Sequence, residues 1–153
     1  VALFEKFHVF TKAELESRAE IQYETYAKAI NIEAKAMIDI ASKQIIPAVI
    51  KYTKSLADTV NSVTVAGVEA SVQSELLAET SGLLSDTKVA LQKLIDLDKK
   101  SEEVPEGSEL AHYFHEEIVP AMAELRAPVD ALEMIVDKEM WPMPSYGDLM
   151  FEV

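Results

Sequence analysis

The sequence predicts an all-α fold: an antiparallel bundle of three long helices, the first of them long and kinked, with an extended C-terminal tail docked on it. Periodicity is the first observation behind this. Between residues 12 and 61, Ala19, Tyr23, Tyr26, Ile30, Ala34, Met37, Ala41, Ile45, Ala48, Tyr52, Leu56 and Val60 follow at steps of three or four, the recurrence of one face of an α-helix. Composition is the second: only four glycines among 153 residues, with abundant Ala, Leu, Ile, Glu and Lys, favours helix because these residues lose little rotamer freedom in it. Length is the third, since a chain of this size is one domain and buries roughly 68–70% of its unfolded surface.

Residues 1–10 form a short apolar lead-in. Thr11 then stands three residues before Glu14, the capping-box spacing at which hydroxyl and carboxylate satisfy the free amides of a helix start. Helix 1 follows over 12–61, roughly 75 Å if unbroken. Pro47 lies inside it; a proline removes one backbone hydrogen bond and crowds the carbonyl four residues back, which predicts a kink between Lys43 and Pro47. The β-branched, glycine-containing run over 61–67 reads as a connection. Helix 2 follows over 68–98, with Val72, Leu76, Leu83, Leu84, Leu91, Leu94 and Ile95 inward and a penalty of about 1 kcal/mol at Gly82. Charge, Pro and Gly concentrate over 99–107, the clearest loop.

Helix 3 reads over 108–138, with Leu110, Phe114, Ile118, Ala121, Leu125, Val129, Leu132 and Val136 inward, and Pro120 and Pro128 inside the stripe predict curvature. Pro142 and Pro144 then force residues 141–153 into an extended tail, expected to dock through Trp141, Tyr146 and Phe151. Because helices 2 and 3 are shorter than helix 1, its early turns with Ile21, Tyr23, Tyr26 and Ile30 are expected to be left over for another partner.

Twenty-seven acidic residues against 14 basic ones give a formal charge of −13, which repels phosphate backbones and anionic lipid headgroups; nucleic acid and membrane surfaces are poor partners. The chain has no cysteine, so disulfides and thiolate metal ligation are excluded. No apolar run approaches the roughly 20 residues of a membrane helix and the start lacks signal-peptide layout, which together predict a soluble, cytoplasmic chain. It opens on Val and runs at once into Leu3, Phe4, Phe7, Val9 and Phe10, the pattern expected of a piece of a longer polypeptide.

Candidate chemistry is sparse. Glu109 and His112 have the Glu-x-x-His spacing of di-iron bundles, but that site needs a second such pair and two more glutamates, and neither His8 nor His115 follows a glutamate at three. His112 and His115 lack a third local ligand for zinc. Glu102, Glu103, Glu106, Glu116 and Glu117 read as solvated charge. No glycine-rich loop opens a helix to cradle phosphate, and no serine has a local histidine partner. Residue chemistry therefore assigns no catalytic, cofactor-binding or metal-binding residue.

Two stretches carry a resemblance. The run MIDIASKQIIPAVIKY, Met37 to Tyr52, and the terminal WPMPSYGDLMFEV, Trp141 to Val153, are similar to the C-terminal region of the large, type III glutamine synthetases. LFEKF at Leu3 to Phe7, ELESRAEIQYETYAKAINIEA at Glu14 to Ala34 and PAMAELRAPVDALE at Pro120 to Glu133 support it in the same order; residues 53–106 offer no strong match. The resemblance implies a parent ligase of nitrogen metabolism that joins ammonia to glutamate using ATP and magnesium, through a γ-glutamyl phosphate, in ring-shaped oligomers. The family's catalytic residues lie upstream of this segment, so none is carried onto a position here. What it implies for this chain is an inactive helical C-terminal portion with a structural or assembly role, whose partners are the upstream catalytic domain and other subunits of a homo-oligomer. The alternative from a different class is an autonomous helical interaction protein or a metal–carboxylate bundle.

Overall fold

The computed structural model describes residues 2–7, 9–144 and 146–151, leaving aside the side chains of Ala2 and Tyr146. Among the described residues every regular element is helical and there is no strand. Helix α1 is the short Ala2–Lys6. The capping box forms as its spacing requires: the Glu14 amide donates to the Thr11 hydroxyl at 3.3 Å, and the Thr11 amide donates to the Glu14 carboxylate at 2.8 Å. From this cap α2 spans Lys12–Ile40, passes into a π-helical turn at Ala41–Ile45, and continues as α3, Ile46–Val65. Segments of 29, 5 and 20 residues thus make one rod about 80 Å long.

Proline chemistry locates the π turn. Pro47, second residue of α3, has no amide to offer, and its ring crowds the carbonyl four residues back; in the wider turn the Ile46 amide instead bonds the Ala41 carbonyl, five residues back. Helix 3 repeats the device. There α5 (Ser108–Tyr113), a second π turn (Phe114–Ile118) and α6 (Val119–Ile135) are continuous, Pro120 is the second residue of α6, and the Val119 amide bonds the Phe114 carbonyl. The kink expected at Pro47 and the curve expected at Pro120 both take this form, while Pro128 lies within α6 without a turn of its own.

Several boundaries differ from the expected ones. The first rod runs past residue 61 to Val65, and there the hydroxyls of Thr59, Ser62 and Thr64 donate back to the carbonyls of Ser55, Asp58 and Val60 at 2.8 Å, which satisfies them without drawing the residues out of the helix. Gly67, at φ 78°, makes the turn, and α4 spans Ser71–Ser101 rather than 68–98. Its inner line includes two threonines that apolar patterning overlooks: Thr80 and Thr87 are fully buried, with hydroxyls donating to the Leu76 and Leu83 carbonyls. Val72, expected inward, stands 63% exposed. Helix 3 closes at Ile135, where Val136 turns extended at ψ 140°.

Packing follows from the first rod. Ala27, Ala34 and Ala41 are buried with Leu91 and Leu94 of α4, Phe114 and Ile118 of the second π turn, and Ala121 and Leu125 of α6. A second cluster joins Ile45 and Val49 to Leu132 and Val136, with Trp141 packed on it. Helix α4 doubles back along α3 after the tight turn and also lies against α6, while α5 and the second π turn lie against α2. Of the four side chains expected to be left over, Ile30 joins the first cluster, Tyr23 and Tyr26 meet His112 and His115, and Ile21 stays 58% exposed.

The tail departs from expectation. Trp141 docks, but beyond Pro144 the chain forms α7, Tyr146–Phe151, rather than an extended strand, and Leu149, Met150 and Phe151 are exposed. Lys138 pairs with Asp148 at 2.8 Å across this turn. The docking expected of Tyr146 concerns a side chain outside the described residues.

Replacing Leu125 by Ala should lower unfolding free energy by about 2–5 kcal/mol in urea titrations, whereas Met134→Ala, at an exposed position, should stay within about 0.5 kcal/mol. Truncation after Met140 should lower the melting temperature by removing Trp141 from its cluster, and Phe151→Ala should leave it unchanged.

Candidate functional site

The densest gathering of polar and aromatic side chains lies where helix 3 begins against α2. Gly107, at φ 94°, turns the chain into α5, a left-handed conformation that glycine adopts without a Cβ penalty. The first turns of helix 3 then present His112 and His115 to successive turns of α2. The His115 Nδ1 lies 3.1 Å from the Tyr26 hydroxyl, and the His112 ring sits 6.4 Å from that of Tyr23. His112 uses its own Nδ1 on the Ser108 carbonyl at 2.7 Å. Glu109, its partner in the Glu-x-x-His spacing, is exposed, as are Glu102, Glu103, Glu106, Glu116 and Glu117. His8 lies outside the described residues. Among those described, no three of His, Cys, Asp or Glu converge where they could hold a metal ion.

Between α2 and the start of helix 3 is a cavity of about 90 Å³ whose lining includes Glu24, Lys28, Asn31, Glu106, Leu110 and Phe114. Its one cation is committed: Lys28 donates to Glu24, and that hydrogen bond, with the Glu24 charge and more distantly Glu106, holds the ammonium pKa above its ordinary value. On the other side of helix 3, the Tyr113 hydroxyl donates to the Leu97 carbonyl at 2.9 Å. Burial, and then the Glu117 and Asp98 charges, push this phenol up. The Tyr26–His115 and Tyr113–Leu97 hydrogen bonds thus tie the start of helix 3 to α2 and to α4.

A second groove runs between α4 and α6, where Lys93 donates to both Glu124 oxygens at 2.8 and 2.6 Å beside Pro128. Gly67 and Gly107, the positive-φ glycines among the described residues, stand in separate turns and do not share a loop. Nor is any described helix long and apolar enough to cross a membrane.

A family profile described as the glutamine synthetase C-terminal domain matches residues 1–64, a stretch that takes in the lead-in and almost all of the first rod. Residues 1–64 belong to the glutamine synthetase C-terminal domain family. The chain is 32% identical over 161 aligned positions to the type-3 glutamine synthetase of Dictyostelium discoideum, covering 99% of this chain and 21% of that protein. Glutamine synthetases of Bacteroides fragilis and Butyrivibrio fibrisolvens are each 28% identical, with 94% and 100% of this chain aligned to 20% and 22% of theirs. The chain thus spans about a fifth of the length of the curated relatives it matches. Residues 53–106, which offered no strong motif match, fall inside the Dictyostelium and Butyrivibrio alignments, which take in 99% and 100% of this chain.

Removing the Tyr26–His115 contact gives a measurable coupling. In a double-mutant cycle of Tyr26→Phe and His115→Ala, the pair should couple by about 0.5–1.5 kcal/mol. The Glu14 carboxyl is held below its ordinary value of 4.5, first by the Thr11 amide and then by the Thr11 hydroxyl. A depressed carboxyl stabilises the fold above its unfolded pKa and loses that contribution as pH falls through the folded one. A carbon-13 titration should therefore find Glu14 ionising below its ordinary value, and Thr11→Ala, which removes the hydroxyl and keeps the amide, should shift it only part of the way back up.

Proposed function

We propose that this chain is the non-catalytic helical C-terminal portion of a glutamine synthetase and that its role is structural, in holding or assembling the subunits of the parent enzyme. The observation that carries the reading is coverage: nearly the whole chain aligns to only a fifth of each relative, so the ligase chemistry belongs to polypeptide outside it. The site geometry is consistent with that, since the Tyr26, His115 and Tyr113 side chains are spent on contacts between helices. In this reading the helices act as an antiparallel three-rod bundle, stiffened by the Lys93–Glu124 bridge between the second and third rods. The parent works in the cytoplasm as a homo-oligomer, ligating ammonia to glutamate with ATP and magnesium, and the partners of this portion are the catalytic domain and neighbouring subunits rather than nucleic acid or membrane.

Phosphoryl transfer to glutamate needs metal ions bridging phosphate oxygens and cationic groups against the charge that develops. Titration of magnesium-ATP into the 153-residue chain should give no micromolar binding heat, and a γ-glutamyl transfer assay should find activity in the full-length protein alone. Micromolar nucleotide binding by the chain itself, or a full-length protein without ligase activity, would sink the proposal.

A further inference from the structure

We propose that the apolar patch made by Leu3, Phe7 and Val9, continued one step along α2 by Ile21, is the seat of the polypeptide that precedes this segment in the parent glutamine synthetase. The inference rests on the proposed function and names the partner face.

The lead-in is a folded element. Its amides at Phe7 and Val9 donate to the carbonyls of Leu3 and Phe4 at 3.2 and 2.9 Å. Phe4 turns inward to Phe10 at 6.0 Å between ring centroids, and Phe10 is clasped from α2 by the Arg18 guanidinium at 4.6 Å. One side of the lead-in is thereby fastened to the rod. The other presents Leu3 and Phe7, each 65% exposed, and Val9; Ile21 is exposed on α2, three residues beyond Arg18. Leu3 and Phe7 stand one turn apart, and with Val9 and Ile21 they leave four large apolar side chains exposed about the start of the first rod, more than the single scattered residues common on a surface.

Two observations choose the occupant. A second copy is disfavoured because each chain carries a net charge of −13, and Glu5 and Glu14 line the hollow beside Val9, so like charges would be brought together. The family profile starts at residue 1, while the relatives are about five times longer than this chain. The lead-in thus belongs to the shared C-terminal unit and lies closest to the polypeptide that would continue into it. A covalently attached partner reaches an effective concentration on the order of millimolar, so a patch of this size suffices without the area an untethered complex needs.

The test compares hydrogen exchange in the full-length protein and in the 153-residue chain. Amides of residues 3–10 should exchange at least about tenfold more slowly in the full-length protein. The double substitution Leu3→Glu and Phe7→Glu should abolish that difference and leave the melting temperature of the 153-residue chain unchanged, and Met134→Glu, at an exposed site elsewhere, should alter neither. Equal exchange in the two contexts would overturn the inference, as would protection in the 153-residue chain that grows with its concentration, the signature of a second copy. Glutamine formation by the same full-length sample is read separately: its loss counts against the proposed function, while the exchange difference still decides the interface.

Discussion

Everything in this fold leans on one row of missing side-chain volume. Ala27, Ala34, Ala41 and Ala48 recur every seven residues along the first rod and are all buried, so the backbone there is open to close approach from two directions. Larger residues fill the space from opposite sides: Leu91 and Leu94 from α4, Phe114, Ile118 and Leu125 from helix 3. A bulkier residue at Ala34 or Ala41 would push both neighbours outward at once, because a packed interior yields little to added volume. The large side chains are exchangeable in kind; the small ones are the constraint.

The two prolines act on the phase of that row. A π turn inserts one residue into the helical count, so the inward positions of the first rod step 41, 45, 49, wider than the 3.6-residue average of an α-helix. This adds Ile45 and Val49 to the buried face beside Ala48, where they meet Leu132, Val136 and Trp141. The same step at 114 and 118 aims Phe114 and Ile118 at the alanines. Proline here steers the stripe rather than ending the helix.

Much of this was legible in the residues, and the misses have physical causes. Thr11 and Glu14 announced the cap because their chemistry is local. Pro47 and Pro120 announced an irregularity, but a kink, a curve and a π turn satisfy the same missing amide, and only tertiary packing selects among them. The continuation to Val65 was hidden because Ser and Thr side chains support either a turn or a helix, depending on which carbonyl they meet. Thr80 and Thr87 were invisible as core because their polarity is cancelled within their own helix. The Tyr23–His112 and Tyr26–His115 contacts join residues 89 apart, a separation that no local motif signals.

The outer end of the molecule is thinner than the rest. Past Tyr52, which still packs on the Leu132–Val136 cluster, the first rod runs with α4 to the turn at Gly67, where Val65 is 89% exposed at the tip. A two-helix arm of this kind can gain or lose matched turns on both strokes without disturbing the alanine row or the start of helix 3. Its length is therefore free to drift between relatives in paired increments of about seven residues, the interval after which a helical face returns nearly to register. The arm's reach, and so the distance at which its valine tip meets whatever lies beyond, can be tuned by evolution independently of the core that holds it.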